Sequence, residues 1–261
     1  MDNKDYYRLY KKYKSKYIGL KNKMIGGGLE IKSFNYDDIE DISCDKICKF
    51  NNNKINEIKL GNYRVVSSSN KISLYNDTAL YTKFSTDNFK LYFGYLKEMV
   101  QILNDLIKYN RENGINKKYS ILILGFGLGG ACLNFSNYNE FYKIDSIDMD
   151  YNLFKLFKKI TKLENINVSN KINYIHGNAI EYLQNCIDSK IKYDIILDDI
   201  FISSEKVNYN FNMVYDCLEE DGIFFMNVHY DPLKYVNILK KNNYKHVGYK
   251  SNNEYLIYAK K

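Results

Sequence analysis

The ten residues Ile121-Leu-Ile-Leu-Gly125-Phe-Gly127-Leu-Gly129-Gly130 join a short apolar run to a glycine-rich turn. A continuous apolar run of this length has the pattern of a strand buried on both faces. Glycines directly after it let the backbone turn sharply and approach a ligand where a Cβ would clash. Both G-x-G-x-G and G-x-G-x-x-G fit these residues, so the turn alone is a weak signal. Its context narrows it. Asp148 stands 21 residues beyond Gly127, inside Ser146-Ile-Asp148-Met-Asp150 at the end of the next apolar run. A carboxylate there can accept hydrogen bonds from both hydroxyls of a ribose. Together the two signals predict a nucleoside-containing cofactor.

Around this turn, strands and helices alternate from Tyr119 to the C-terminus. Strand-like runs occur at Ile121–Leu124, Lys143–Ile147, Ile172–Ile175, Tyr193–Leu197 and Ile223–Val228. Helical patterns near 129–138, 150–164, 178–187, 204–218 and 232–241 lie between them. That alternation predicts a doubly wound, mostly parallel α/β sheet. Two further strands, Tyr244–Tyr249 and Tyr255–Ala259, close the chain as a hairpin around Ser251-Asn252-Asn253. Upstream, Ile55–Leu60, Tyr63–Ser68, Lys71–Tyr75 and Thr78–Phe84 are separated by turn pairs and read as an antiparallel meander. A long amphipathic helix follows, its apolar face running from Phe89 to Ile107. The expected organisation is a leader over 1–28, a small β-rich domain over 29–88 and the α/β domain over 89–261. Residues 29–53 carry no clear pattern of their own.

Charge divides along the same lines. The chain of 261 residues has 38 Lys and Arg against 31 Asp and Glu, a net +7. Residues 1–23 hold eight basic side chains and two acids, so the rest is close to neutral. A basic chain suggests an anionic partner, but here only the leader carries that signal. The leader sets Tyr6, Leu9, Tyr10, Tyr13, Tyr17, Leu20 and Met24 at helical spacing before Gly26-Gly27-Gly28. It resembles the N-termini of many giant-virus proteins, which implies a source and a location in host cytoplasm or virion. Any contact with nucleic acid is expected through it alone. The longest apolar stretch, Ile121 to Leu133, is too short for a bilayer, and no secretory or mitochondrial signal is read. Five cysteines without a completing His or Cys pair read as reduced thiols of an intracellular protein, with no metal site.

The remaining chemistry is expected at strand ends, where open α/β sheets bind ligands. His176-Gly177-Asn178-Ala179 ends one strand, and Asn178 can accept from an adenine amine or cap the next helix. His176 reads as a wall residue. Tyr193-Asp194-Ile-Ile-Leu-Asp198-Asp199-Ile-Phe201 ends the next strand. Asp194, ahead of the apolar run, reads as structural. Asp198 is expected beside the reacting centre, able to steer or deprotonate an amine, with Asp199 as a neighbour that can touch substrate.

Gly125–Gly130, Ser146–Asp150, Gly177–Leu183, Tyr193–Asp198 and Glu220–Asn227, in that order, resemble the spermidine synthase-like branch of the class I S-adenosylmethionine (SAM)-dependent transferases. The resemblance spans roughly residues 55–261. It implies a Rossmann-like class I methyltransferase fold with a C-terminal antiparallel hairpin, preceded by a small β-rich domain. It further implies that Gly125, Gly127 and Gly129 line the cofactor, Asp148 holds its ribose and Asn178 meets its adenine. Asp198 becomes the catalytic-position acid, and Tyr81, in Leu80-Tyr81-Thr82-Lys83, the pocket tyrosine. A homodimer is the common assembly of such proteins.

Departures from the family pattern bear on the reaction. Aminopropyltransferases usually carry an acid in the glycine turn, where Leu128 stands here, and a second acid three residues after the catalytic one, where Phe201 stands. Thr82-Lys83 also replaces the usual Gln-Glu. Losing the two acids favours intact SAM over its decarboxylated form, and methyl transfer to a small-molecule or protein acceptor over aminopropyl transfer. Aminopropyl transfer in polyamine synthesis stays open as the second reading. A structural or virion-associated protein that uses its basic leader for interaction is the third.

Overall fold

The computed structural model describes residues 30–42, 47–50, 55–77, 79–92, 94–202, 205–206, 209–251 and 255–261. The expected leader helix and Cys44 fall outside them. Strands β2 (Ile47–Phe50), β3 (Ile55–Leu60), β4 (Tyr63–Ser68), β5 (Lys71–Asn76) and β6 (Ala79–Ser85) form a five-stranded antiparallel meander in chain order. Tight turns at Gly61-Asn62 and Ser69-Asn70 carry positive φ at Gly61, Ser69 and Asn70, the conformation that hairpin turns demand. Helix α1 (Gly94–Glu112) follows, beginning five residues later than the apolar pattern suggests. Phe89 sits at φ +53° and Leu91 bridges back to Phe84, so the chain is still extended there.

The large sheet is built around β7 (Tyr119–Leu124), β8 (Phe141–Asp148), β9 (Ile172–His176), β10 (Tyr193–Asp198) and β13 (Leu218–Val228), all parallel to one another. Connecting helices are α2 (Gly130–Ser136), α3 (Tyr151–Leu163), α4 (Ala179–Asp188) and α5 (Phe211–Cys217). Helix α6 (Pro232–Lys241) leads to the antiparallel hairpin β14 (Lys245–Ser251) and β15 (Tyr255–Lys260). With β1 (Lys32–Phe34) at one edge, the order is β1-β9-β8-β7-β10-β13-β15-β14. This is the doubly wound sheet with a terminal hairpin that the alternation predicts. The strand order reverses between β7 and β10, where a ligand crevice opens.

Two details differ from the pattern. Residues 32–34, expected within the small β-rich domain, pair antiparallel with β9 and extend the large sheet. Phe34 packs edge-on against Tyr151 and Phe154, and the buried Lys158 donates to the Asp37 carbonyl at 2.9 Å, which pins the segment there. A helix over 204–218 is also expected. Instead β11 (Phe201–Ile202) and β12 (Glu205–Lys206) form a short hairpin, and the helix starts only at Phe211. Asn210 accepts from Asn212 N at 3.1 Å and caps it, while Tyr209 is drawn away toward Asp198.

Because side chains alternate along a strand, the sheet buries two separate cores. Ile121, Ile123, Ile195, Leu197 and Phe225 face α1, α3 and the meander residues Ile58, Val65, Leu74 and Phe84. Leu122, Leu124, Ile196, Phe224 and Met226 face α4, α5 and α6. No helix among the described residues is long and apolar enough to cross a membrane.

Candidate active site

The glycine turn follows β7 and the acidic pair Asp198-Asp199 follows β10, so the reversal of strand order sets them side by side. Gly125 has φ +98°, and a Cβ there would lie 2.8 Å from the Asp199 carbonyl. Only glycine permits the two strand ends to come this close. Gly127, also at positive φ, is different: a Cβ there would meet nothing within 4 Å among the described residues, so its surroundings are open to a ligand. Gly129 is closed in by the rings of Phe126 and Phe157, which would lie 2.8 Å from a Cβ at that position, and it serves packing.

Asp148 braces this turn. Its Oδ2 accepts from Phe126 N at 2.9 Å and its Oδ1 from Asp150 N at 2.9 Å. The Gly127 N–H also favours the ionised carboxylate, and of about four acceptor positions one is left for a ribose hydroxyl. Burial pushes the Asp148 carboxyl up to about 6, against the N–H groups of Asp150, Phe126 and Gly127, which favour the ionised form. Asn178 is buried and caps α4, its Oδ1 accepting from Ile180 N at 2.9 Å. Its capping role is the one visible in the geometry. His176 lies against Tyr151, with Nε2 3.1 Å from the Met149 carbonyl, as a wall residue would.

The meander closes the crevice from above. Tyr63 is hydrogen-bonded to Asp150, and burial together with Asp150 and Asp148 raises its phenol far beyond the usual range. Tyr81 keeps about half of its surface exposed at the rim. Desolvation of its hydroxyl, then the charges of Asp148, Asp199 and Asp150, push the phenol up to about 12. These two tyrosines therefore lie within the electrostatic reach of the acids of the strand ends.

The adjacent acids Asp198 and Asp199 separate to opposite faces. Asp198 has the parity of Ile196 and is wholly buried on the α4–α6 side, accepting from Tyr209 OH at 2.7 Å and Ile200 N at 3.1 Å. Asp199 has the parity of Ile195 and Leu197 and turns toward α1 and the meander. There it accepts from Tyr95 OH at 2.6 Å and Asn227 Nδ2 at 2.9 Å. The carboxylate on the side of Tyr81 and Asp148 is thus that of Asp199, and the Asp198 carboxylate lies on the opposite face. Strand period two carries this signal, but only the folded arrangement tells which face holds the meander. Sequence reading also passed over Tyr95 and Asn227, which look like ordinary residues of an apolar helix face and a buried strand.

Leu128 is fully buried in the core rather than lining the turn. Phe201 lies in the β11–β12 hairpin, stacked on His229 with ring centroids 4.2 Å apart. Among the described residues no group of three or more His, Cys, Asp and Glu is placed to hold a metal, and Cys132, Cys186 and Cys217 are buried free thiols.

Similar solved structures include a Corynebacterium glutamicum "probable spermidine synthase" at 13% identity and TM-score 0.61, covering 78% of this chain and 79% of that one. A Streptococcus mutans protein described as a SAM-dependent methyltransferase matches at 13% identity and TM-score 0.48, over 75% of this chain. This chain spans only 56% of that protein's length. A spermidine synthase solved with the transition-state analogue AdoDATO matches at 16% identity and TM-score 0.45, over 83% of this chain and 72% of that one. At such identities the likeness concerns the fold. No curated protein sequence matches the chain. The model of the spermine/spermidine synthase domain matches residues 97–248, which run from α1 into β14 and take in the glycine turn, Asp148, Asp199 and Asn227. The chain belongs to the spermine/spermidine synthase family.

Proposed function

We propose that this chain is a SAM-dependent methyltransferase whose acceptor is oriented by Asp199. The observation that supports methyl over aminopropyl transfer is Leu128, buried in the core, which leaves the glycine turn without a carboxylate. An acid in that turn, about 4 Å from the carboxylate of intact SAM, would cost roughly 4 kcal/mol at an effective dielectric near 20. The cradle fits a nucleoside cofactor: Gly127 is open, Asp148 retains an acceptor position for the ribose, and Tyr63 and Tyr81 lie within reach of its charge.

When bound, SAM supplies a methyl group on a positively charged sulfur, and the electron pair of the broken bond returns to that sulfur. The residues of this chain have the work of placing and desolvating the acceptor, since in-line displacement depends on alignment more than on strong acid–base chemistry. Asp199, fixed by Tyr95 and Asn227, holds the acceptor and takes up its proton. Tyr81 walls the site.

Titration calorimetry with SAM and with decarboxylated SAM, followed by product analysis, tests this reading. Tighter binding of SAM and formation of S-adenosylhomocysteine are expected. The family match favours the alternative, aminopropyl transfer; tighter binding of the decarboxylated form with release of methylthioadenosine would establish that alternative instead.

The pH dependence follows from Asp148. A carboxyl raised from 3.8 to about 6 is protonated in that window only in the folded chain, so this group's contribution to stability falls as pH rises through it. Cofactor binding has the opposite sign, because a ribose hydroxyl donates to the ionised form. SAM affinity should weaken by about tenfold per pH unit below 6. Calorimetry from pH 5 to 8 measures the slope, and Asp148→Asn should abolish it. A slope that survives this substitution assigns the titration to another group.

A further inference from the structure

β10 ends at Asp198 and β13 at Val228, so just beyond Asp199 and Asn227 the chain has left both strands. Two residues further along from each come Phe201 and His229, and their rings stack at 4.2 Å with planes only 12° apart. Tyr230 meets His229 edge-on at 6.3 Å and is 77% exposed, so the row of rings continues outward to solvent. Phe201 and His229 are each half-buried. Beside Asp199, Asn227 gives its amide N–H to the carboxylate, while its own Oδ1 is buried and has no hydrogen-bond partner among the described residues. The site therefore changes character along its length. Its inner end offers a carboxylate and a carbonyl oxygen, two acceptors suited to the N–H groups of one amine. Its outer end is a wall of three rings.

We propose, on the methyltransferase reading above, that the acceptor is a monoamine with a flat, apolar body, such as an arylalkylamine, and not a diamine. The amino group lies between Asp199 and Asn227 Oδ1, and the ring packs along Phe201, His229 and Tyr230. Asp199 holds the proton that the ammonium gives up; the freed lone pair forms the N–C bond as the S–C bond of SAM breaks, and the proton then passes to solvent. The distal ammonium of a diamine would instead reach a hydrocarbon and imidazole wall. The carboxylate next in sequence, Asp231, is engaged in capping α6, with Lys234 N 3.2 Å from its Oδ1.

The test compares phenethylamine and tyramine with putrescine and cadaverine as acceptors, using labelled SAM and the full chain. The arylalkylamines should be methylated with the higher kcat/KM. Phe201→Ala and His229→Ala should each raise KM for phenethylamine about threefold to tenfold, the value of one ring contact, with kcat little changed. His229→Phe, which keeps the stack, should restore the low KM, and His229→Glu should move preference toward putrescine. Calorimetric SAM affinity is followed in every variant, because the wall lies on the acceptor side. A wild-type preference for diamines, or KM values indifferent to both alanine substitutions while SAM still binds, would overturn this inference alone. Failure of the wild-type chain to bind SAM would overturn the proposed function and this inference with it.

Discussion

Asp199→Asn should reduce turnover by about two to three orders of magnitude while SAM affinity stays within about threefold of wild type, the size expected for losing a positioned proton acceptor. The amide keeps the size of the carboxylate and can still meet Tyr95 and Asn227, so the fold survives and the lost quantity is charge. Its neighbour should behave in the opposite way. Asp198→Ala leaves the Tyr209 hydroxyl and the Ile200 N–H without this acceptor inside the α4–α6 core. Stranding buried donors costs about 1–3 kcal/mol each, and the melting temperature should fall by about 5–10 °C. Turnover per folded molecule at low temperature should remain within a fewfold of wild type. Steady-state kinetics and thermal denaturation of both variants decide the matter. Lost turnover with an unchanged melting temperature in Asp198→Ala would return the reacting acid to the position that the family pattern suggested.

The second large effect is expected at Gly125, and it separates the roles of two glycines in one turn. In Gly125→Ala the new Cβ meets the Asp199 carbonyl at 2.8 Å, at a φ of +98° that other residues avoid. Neither backbone can yield without shifting a strand end. Strain of this kind costs about 1–3 kcal/mol before the clash is added, and it displaces Asp199 itself. Both stability and turnover should therefore collapse, the melting temperature falling by about 5 °C or more. Gly127→Ala meets no neighbouring atom, so it carries only the backbone strain of its φ of +57°, about 1–2 kcal/mol, and should cost less stability than Gly125→Ala. Its methyl instead occupies the cradle, and SAM binding should weaken by about tenfold or more, about 1.4 kcal/mol. Denaturation scans and calorimetry on the pair read the two quantities independently. Equal loss of stability in both variants would mean that Gly127 belongs to the packing and not to the cradle.

The meander, the alternation of strands and helices and the terminal hairpin were all legible in the chain, because each is written in local periodicity. Ile55–Leu60 and Tyr63–Ser68 are observed with the bounds that the pattern gives, since turn pairs punctuate them. The segment at 32–34 was not legible. Three residues hold no period, and their place follows from a long-range pairing with β9 and from Lys158, more than a hundred residues away. The β11–β12 hairpin was hidden for a related reason, because Tyr209 leaves the local pattern to reach Asp198.

Local pattern was enough to bring a glycine turn and two acid-bearing strand ends to one edge of a parallel sheet. Hydrophobic period and glycine placement are properties of neighbouring residues, and strand order in such a sheet is tightly constrained. Which of two adjacent aspartates faces the site was set by folding alone. Strand alternation puts Asp198 and Asp199 on opposite faces, and the difference between those faces is made by distant partners. The meander and Tyr95 pack on one side, and Tyr209 packs on the other. The stacking of Phe201 on His229 arose in the same way, from two strand ends that are neighbours in space and 28 positions apart in the chain.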